Sequence, residues 1–118
     1  PQDDRQVQAS VRPDFALPSH SAPLGLAFVQ PGFTAPFAEG AFIGLHGSWN
    51  RDVPAGYKVI FIPFANGRPS GPPVDFVTGF QVDGKTMGRP VGVTLDPKGA
   101  LIVADDLSNT VWRVTPTR

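Results

Sequence analysis

Apolar residues in this chain come in short runs broken by proline and glycine, and no window keeps the three-to-four-residue spacing of an amphipathic helix. Runs rich in β-branched and aromatic residues predict strands at Leu24–Val29, Ala41–His46, Tyr57–Phe64 and Val74–Phe80. A second series follows at Val91–Asp96, Ala100–Asp105 and Thr110–Thr115. Gln6–Arg12 has alternating character and is expected to be one more strand, with Pro1–Arg5 a polar, mobile end. Asp96-Pro97-Lys98-Gly99 places proline second and glycine fourth, as a type I turn prefers, whereas Ala65–Pro73 reads only as loop. The predicted class is all-β.

The two series of strands repeat one pattern. Pro23-Leu24-Gly25-Leu26 opens the first copy and Pro90-Val91-Gly92-Val93 the second. Each continues through a Gly-Ala-apolar-Ile strand, beginning at Gly40 or Gly99, then a polar loop and a closing strand, Val59–Pro63 or Val111–Pro116. Strand-only repeats of roughly 40–50 residues are the mark of propeller blades. The organisation expected is therefore residues 1–12 as a possible outer strand of a preceding blade, 13–84 as one blade, and 85–118 as a second, incomplete blade. A blade cannot cover both of its own faces, and about three stacked units are needed for stability, so two copies are too few. The start at Pro1, without methionine or leader, fits a part of a longer or processed polypeptide.

Composition narrows the partners. Ten Lys and Arg balance ten Asp and Glu, which removes the electrostatic case for nucleic acid or an anionic membrane. No apolar run approaches the roughly 20 residues of a membrane helix. The absence of cysteine excludes disulfides and thiolate metal sites without fixing the compartment.

In an up-and-down blade the connections alternate between the two ends of the sheet. One face therefore collects Pro18–Pro23, His46–Gly56, Gln81–Pro90 and Asp105–Asn109. These loops carry His20, His46, Trp49, Arg51, Arg89, Asp105 and Asp106, while the opposite face receives mostly Pro, Gly and small residues from Gln30–Gly40, Ala65–Pro73 and Pro97–Gly99. Each has a plain structural reading too. Trp49 suits packing between blades as well as stacking on a ligand. Arg51 beside Asp52 suits a loop ion pair, Asp105 and Asp106 suit turn capping, and His20 suits a loop hydrogen bond. Arg89 is different, because a guanidinium near a propeller axis needs an anionic or carbonyl partner to offset its desolvation. There is no P-loop, Gly-x-Gly-x-x-Gly, His-Glu-x-x-His or Gly-x-Ser-x-Gly, and the carboxylates and histidines are too few for a propeller lactonase with a central metal.

The phrases HSAPLGL (His20–Leu26), GAFIGLHGSWNR (Gly40–Arg51) with Gly56–Val59, GRPVGVTLDPKGALIVADD (Gly88–Asp106) and Val111–Val114 resemble the carboxy-terminal part of the glucose/sorbosone dehydrogenases, over residues 13 to 116. The resemblance implies a six-bladed propeller that binds pyrroloquinoline quinone (PQQ) on one face and oxidises the anomeric or aldehyde carbon of a sugar. A periplasmic or extracellular location and calcium near the quinone are implied with it. Arg89 then matches the arginine directed at the quinone carboxylates or the sugar, and either Arg51 or His46 supplies a second basic group to the quinone. Asp105, Asp106, Trp49 and His20 would border the sugar. No catalytic base or metal ligand is assigned here, since the family's catalytic histidine lies in an earlier blade. The chain is then part of a complete dehydrogenase, or a homotrimer whose copies close a ring, or a non-catalytic module that binds carbohydrate or protein.

Overall fold

The computed structural model describes residues 3–29, 33 and 36–115. After a short helix, α1 (Asp4–Ala9), the strands are β1 (Pro23–Phe28), β2 (Gly40–Leu45), β3 (Lys58–Ala65), β4 (Arg68–Pro69), β5 (Val74–Val77), β6 (Gln81–Val82), β7 (Lys85–Thr86), β8 (Pro90–Leu95), β9 (Leu101–Asp105) and β10 (Thr110–Val114). All pairings are antiparallel. One sheet has the order β1-β2-β3 with β5 on the far side of β3 and the short β4 pairing the end of β3; the other has the order β8-β9-β10. All seven predicted long strands are present, with ends displaced by a residue or so at most of them and by three at the end of β5.

Two expectations need correction. Gln6–Arg12 does not begin as a strand, because Asp4–Ala9 is helical: Asp3 is the N-cap, its carboxylate accepting from the backbone N–H of Arg5 and Gln6 at 3.1 and 3.2 Å. None of the helical residues is buried, so local capping decided what no tertiary partner contested. Ala65–Pro73 is not loop alone either. Asn66-Gly67 turns Ala65 back on Arg68, and Asp83-Gly84 turns Val82 back on Lys85, with positive φ at both central residues of each. That is the type I′ geometry which Asn-Gly and Asp-Gly favour. The mobile end expected at Pro1–Arg5 lies partly outside the described residues, as does the Gln30–Gly40 loop.

Alternation along the strands builds two cores. Phe42, Val59 and Phe61 point from the first sheet toward Val93, Leu101 and Val103 of the second, with Tyr57 and Phe80 buried among them. Ile43, Leu45, Ile60 and Ile62 point the other way and are covered by Phe15 and Leu17 from the segment before β1. That cover is partial: Leu24, Leu26 and Phe28 remain 55–59% exposed. The contact between sheets is closest at two glycines. A Cβ on Gly25 would run into the Val91 carbonyl oxygen, and one on Gly44 would come within 2.7 Å of the same atom. Gly92, which occupies the place of Gly25 in the second repeat, has nothing within 4 Å of the corresponding point.

Two residues at the same repeat position thus make opposite predictions. Gly25→Ala should destabilise the fold by about 1–3 kcal/mol, because backbone must move to admit the methyl group. Gly92→Ala should change stability by less than about 0.5 kcal/mol. Urea denaturation of the two variants would check the pair.

Candidate functional site

β8 lies against β1 and β2, so the residue that precedes β8 and the residue that follows β2 meet at one end of the interface. These are Arg89 and His46. Strand pairing sharpens the repeat: Leu45 faces Pro23 in one sheet as Asp105 faces Pro90 in the other. His46 and Asp106 are therefore equivalent positions, rather than His46 and Asp105 as the aligned motifs suggest. They touch, His46 Nε2 lying 3.0 and 3.1 Å from the two carboxylate oxygens of Asp106.

Arg89 is the centre of the site. Its Nη1 is 3.4 Å from His46 Nδ1, and its Nη2 donates to the Ser48 carbonyl at 3.1 Å and to the Tyr57 hydroxyl at 3.3 Å. A guanidinium can only donate, so the contact to Nδ1 is a hydrogen bond when that nitrogen accepts; the ring hydrogen is then assigned to Nε2, facing Asp106. The three contacts use three of the five guanidinium N–H bonds. Among the described residues no carboxylate pairs with the guanidinium, although Arg89 is half-buried. The surface in front of it is a depression of about 580 Å³ lined by His46, Thr86, Arg89, Asp106 and Leu107.

Asp105 lies beneath this surface and not on it. It is 3% exposed. Its Oδ1 accepts from the backbone N–H of Arg89 at 2.8 Å and of Ser108 at 3.1 Å, and its Oδ2 accepts from the Trp112 indole at 3.2 Å. A Cβ on Gly88 would collide with the same carboxylate, so only glycine lets the chain pass there on its way to Arg89. The capping reading of Asp105 is the one the geometry supports. Burial alone pushes its pKa up, yet the hydrogen bonds from Ser108, Arg89 and Trp112 together outweigh it and bring the carboxyl from 3.8 down to about 2.

The remaining candidates sit on neighbouring loops. Ser48 and Ala55 close the neck of the loop after β2, Ser48 N donating to the Ala55 carbonyl at 2.9 Å and Ala55 N to Ser48 Oγ at 3.1 Å. Beyond that neck Trp49 is 85% exposed, so it does not plug the packing between sheets. Arg51 donates to the Ser19 carbonyl at 3.0 Å, which ties this loop to the one carrying the exposed His20, and no Arg51–Asp52 ion pair is present among the described residues. Between Arg51 and His46, it is His46 that stands beside Arg89. Sequence reasoning missed Tyr57, Ser48 and Trp112. The pair Gly56-Tyr57 at the end of a long polar loop was the available signal, since Tyr57 is the chain's single tyrosine.

Because the Asp105 pKa is depressed on folding, its contribution to stability is complete above pH 3.8 and fades as the pH falls toward 2. Asp105→Asn should lose about 1–3 kcal/mol at neutral pH, since buried N–H donors lose a charged acceptor. The variant should also lose the part of the wild-type stability slope that lies between about pH 4 and pH 2. Urea denaturation at neutral pH and across that acid range checks both effects.

Comparison with known proteins identifies the family. A family model described as TrAA12-like matches residues 1–117. A curated protein of Borreliella burgdorferi, described only as uncharacterized, is 35% identical over 103 residues, covering 85% of this chain and 27% of its own length. The pyrroloquinoline quinone-dependent pyranose dehydrogenase of Coprinopsis cinerea is 43% identical over 54 residues, 46% of this chain and 7% of the relative. Among solved structures, the holo form of the pyranose dehydrogenase PQQ domain from Coprinopsis cinerea superposes with a TM-score of 0.72 at 30% identity, covering 92% of this chain and 30% of that one. The calcium structure of the Trichoderma reesei carbohydrate-active enzyme of family AA12 gives a TM-score of 0.68 at 26% identity, over 83% of this chain and 25% of the other. The chain thus spans less than a third of the relatives it matches. On the match to nearly its whole length, the chain belongs to the TrAA12-like family, a domain related to the PQQ-dependent sugar dehydrogenases.

Proposed function

We propose that this chain contributes two adjacent blades of a β-propeller to a PQQ-dependent sugar dehydrogenase, with Arg89 and His46 facing the quinone. One observation carries the reading: a half-buried guanidinium has the His46 ring, the Ser48 carbonyl and the Tyr57 hydroxyl as partners and no carboxylate among the described residues, in front of a depression of about 580 Å³. A cation at such a place calls for an anion, and two N–H bonds, one on Nε and one on Nη1, remain to donate to it. PQQ brings three carboxylates and, when bound, takes up the two electrons removed from the sugar carbon.

The chain's own residues bind and orient. Arg89 supplies charge and direction, His46 extends the polar rim, and Asp106 fixes the His46 ring from the opposite side. Both ring nitrogens of His46 are engaged, so the proton leaving the sugar is assigned to a group other than His46. A calcium ion would likewise draw ligands from elsewhere, because no three His, Cys, Asp or Glu side chains cluster among the described residues. We assign Trp49 and His20, exposed on the adjoining loops, to the sugar side. The exposed Leu24, Leu26 and Phe28 support a neighbour packed on that face, either the rest of a longer propeller or a further copy of this chain. The periplasmic or extracellular location belongs to this same reading; among the described residues no helix is long and apolar enough to cross a membrane.

A second reading, a carbohydrate-binding module without catalysis, is favoured by the exposure of Trp49 on a loop closed at its neck. Thermal denaturation with PQQ and calcium separates the two. The dehydrogenase reading expects the quinone to raise Tm by several degrees and Arg89→Ala to remove the rise. A wild-type protein unmoved by the quinone but stabilised by sugar, with the gain lost in Trp49→Ala, would replace the first reading with the second. Trp49→Ala should leave stability without ligand unchanged within about 0.5 kcal/mol, as befits a side chain in solvent.

A further inference from the structure

We infer that Tyr57 is the positioning residue for Arg89: it holds the guanidinium in one orientation without neutralising its charge, so that the arginine stays competent to receive a carboxylate. The inference rests on the reading of Arg89 as a quinone contact and adds how that contact is prepared.

Tyr57 is an unusual residue in its local setting. It is 6% exposed, yet it has φ of +56°, a left-handed conformation that a bulky side chain rarely adopts. Gly56 before it has φ of +95°, and a Cβ on Gly47 would lie 2.7 Å from the Tyr57 ring. The loop is thus built to set the ring face against bare backbone, and backbone conformations of this kind persist where the surroundings over-determine them. What they produce is the placement of one hydroxyl. That hydroxyl donates a hydrogen bond to the Ser48 carbonyl and accepts from Arg89 Nη2 at 3.3 Å. A carbonyl only accepts and a guanidinium only donates, so the hydroxyl hydrogen has a single direction available.

The same carbonyl takes a second hydrogen bond from Nη2 at 3.1 Å, and the guanidinium carbon stands 5.3 Å from the centre of the Tyr57 ring. Arg89 therefore rests on a π face and two neutral oxygens. A carboxylate in the place of Tyr57 would also hold the guanidinium, but it would cancel the charge that an incoming anion needs. Asp105 completes the arrangement from behind by fixing the Arg89 backbone, which is too far along the side chain to set the direction of its head.

The test compares wild type, Tyr57→Phe, Arg89→Ala and the double variant in the full-length protein that carries this chain. Tyr57→Phe keeps the ring and the backbone and removes only the hydroxyl. Two measurements are made: NMR of ¹⁵N-labelled arginine to follow Arg89, and absorbance titration with PQQ. We expect separate, slowly exchanging Arg89 Nη signals in wild type that average together in Tyr57→Phe. PQQ affinity should fall about tenfold in Tyr57→Phe, the scale of one hydrogen bond to a charged group, and should not fall further when Tyr57→Phe is added to Arg89→Ala. Unchanged Arg89 signals in Tyr57→Phe would overturn the proposal, as would an equal loss of affinity with and without Arg89. If Arg89→Ala binds PQQ like wild type, the quinone reading of Arg89 fails, while the NMR comparison still decides whether Tyr57 holds it.

Discussion

The Val91 carbonyl oxygen, seated where side chains at Gly25 and Gly44 would otherwise stand, is the contact on which the arrangement of this molecule turns. Two sheets that meet through β-branched side chains alone would lie roughly 10 Å apart. Here the strands β1, β2 and β8 approach backbone to backbone at their inner edge, and Phe42, Phe61, Leu101 and Val103 fill the wedge that opens outward. The approach fixes β8 against the end of β2. Arg89 and His46 meet for that reason and not through any attraction of their own.

From this contact the site assembles in layers. The buried carboxylate of Asp105 orders the turn after β9 and the backbone entering β8, and it can stay ionised there because Ser108, Arg89 and Trp112 all donate to it. Above it Arg89 is directed by Ser48 and Tyr57, and His46 is oriented by Asp106. The two acidic neighbours in sequence thus work at different depths: Asp105 is structural, while Asp106 forms part of the exposed rim. The result is a half-buried cation held in place by neutral oxygens and a ring, with donors left unused.

Much of the fold was legible along the chain because its signals are local. Runs of β-branched and aromatic residues with proline and glycine at their ends identified the seven longer strands, and the repeated Pro-x-Gly-x motif identified the two sheets. The short elements escaped for the same reason. Asp3 caps a helix too short to show any periodicity, and the two-residue strands around Asn66-Gly67 and Asp83-Gly84 are specified by turn chemistry instead of hydrophobic pattern.

Of the site, sequence alone determined which loops share one end of the sheets, because strand parity follows from counting, and it singled out Arg89 as a cation in need of a partner. Which residues answer that need was decided only by the tertiary structure. Tyr57 and Ser48 lie 32 and 41 positions from Arg89 along the chain, and the register that brings them within hydrogen-bond reach depends on how closely two sheets can pack. The placement of His46 beside Arg89 and of Arg51 on Ser19, and the burial of Asp105 beneath Asp106, have the same origin. A periodic pattern tells which face a side chain takes, but the depth at which it comes to rest is set by the neighbouring sheet.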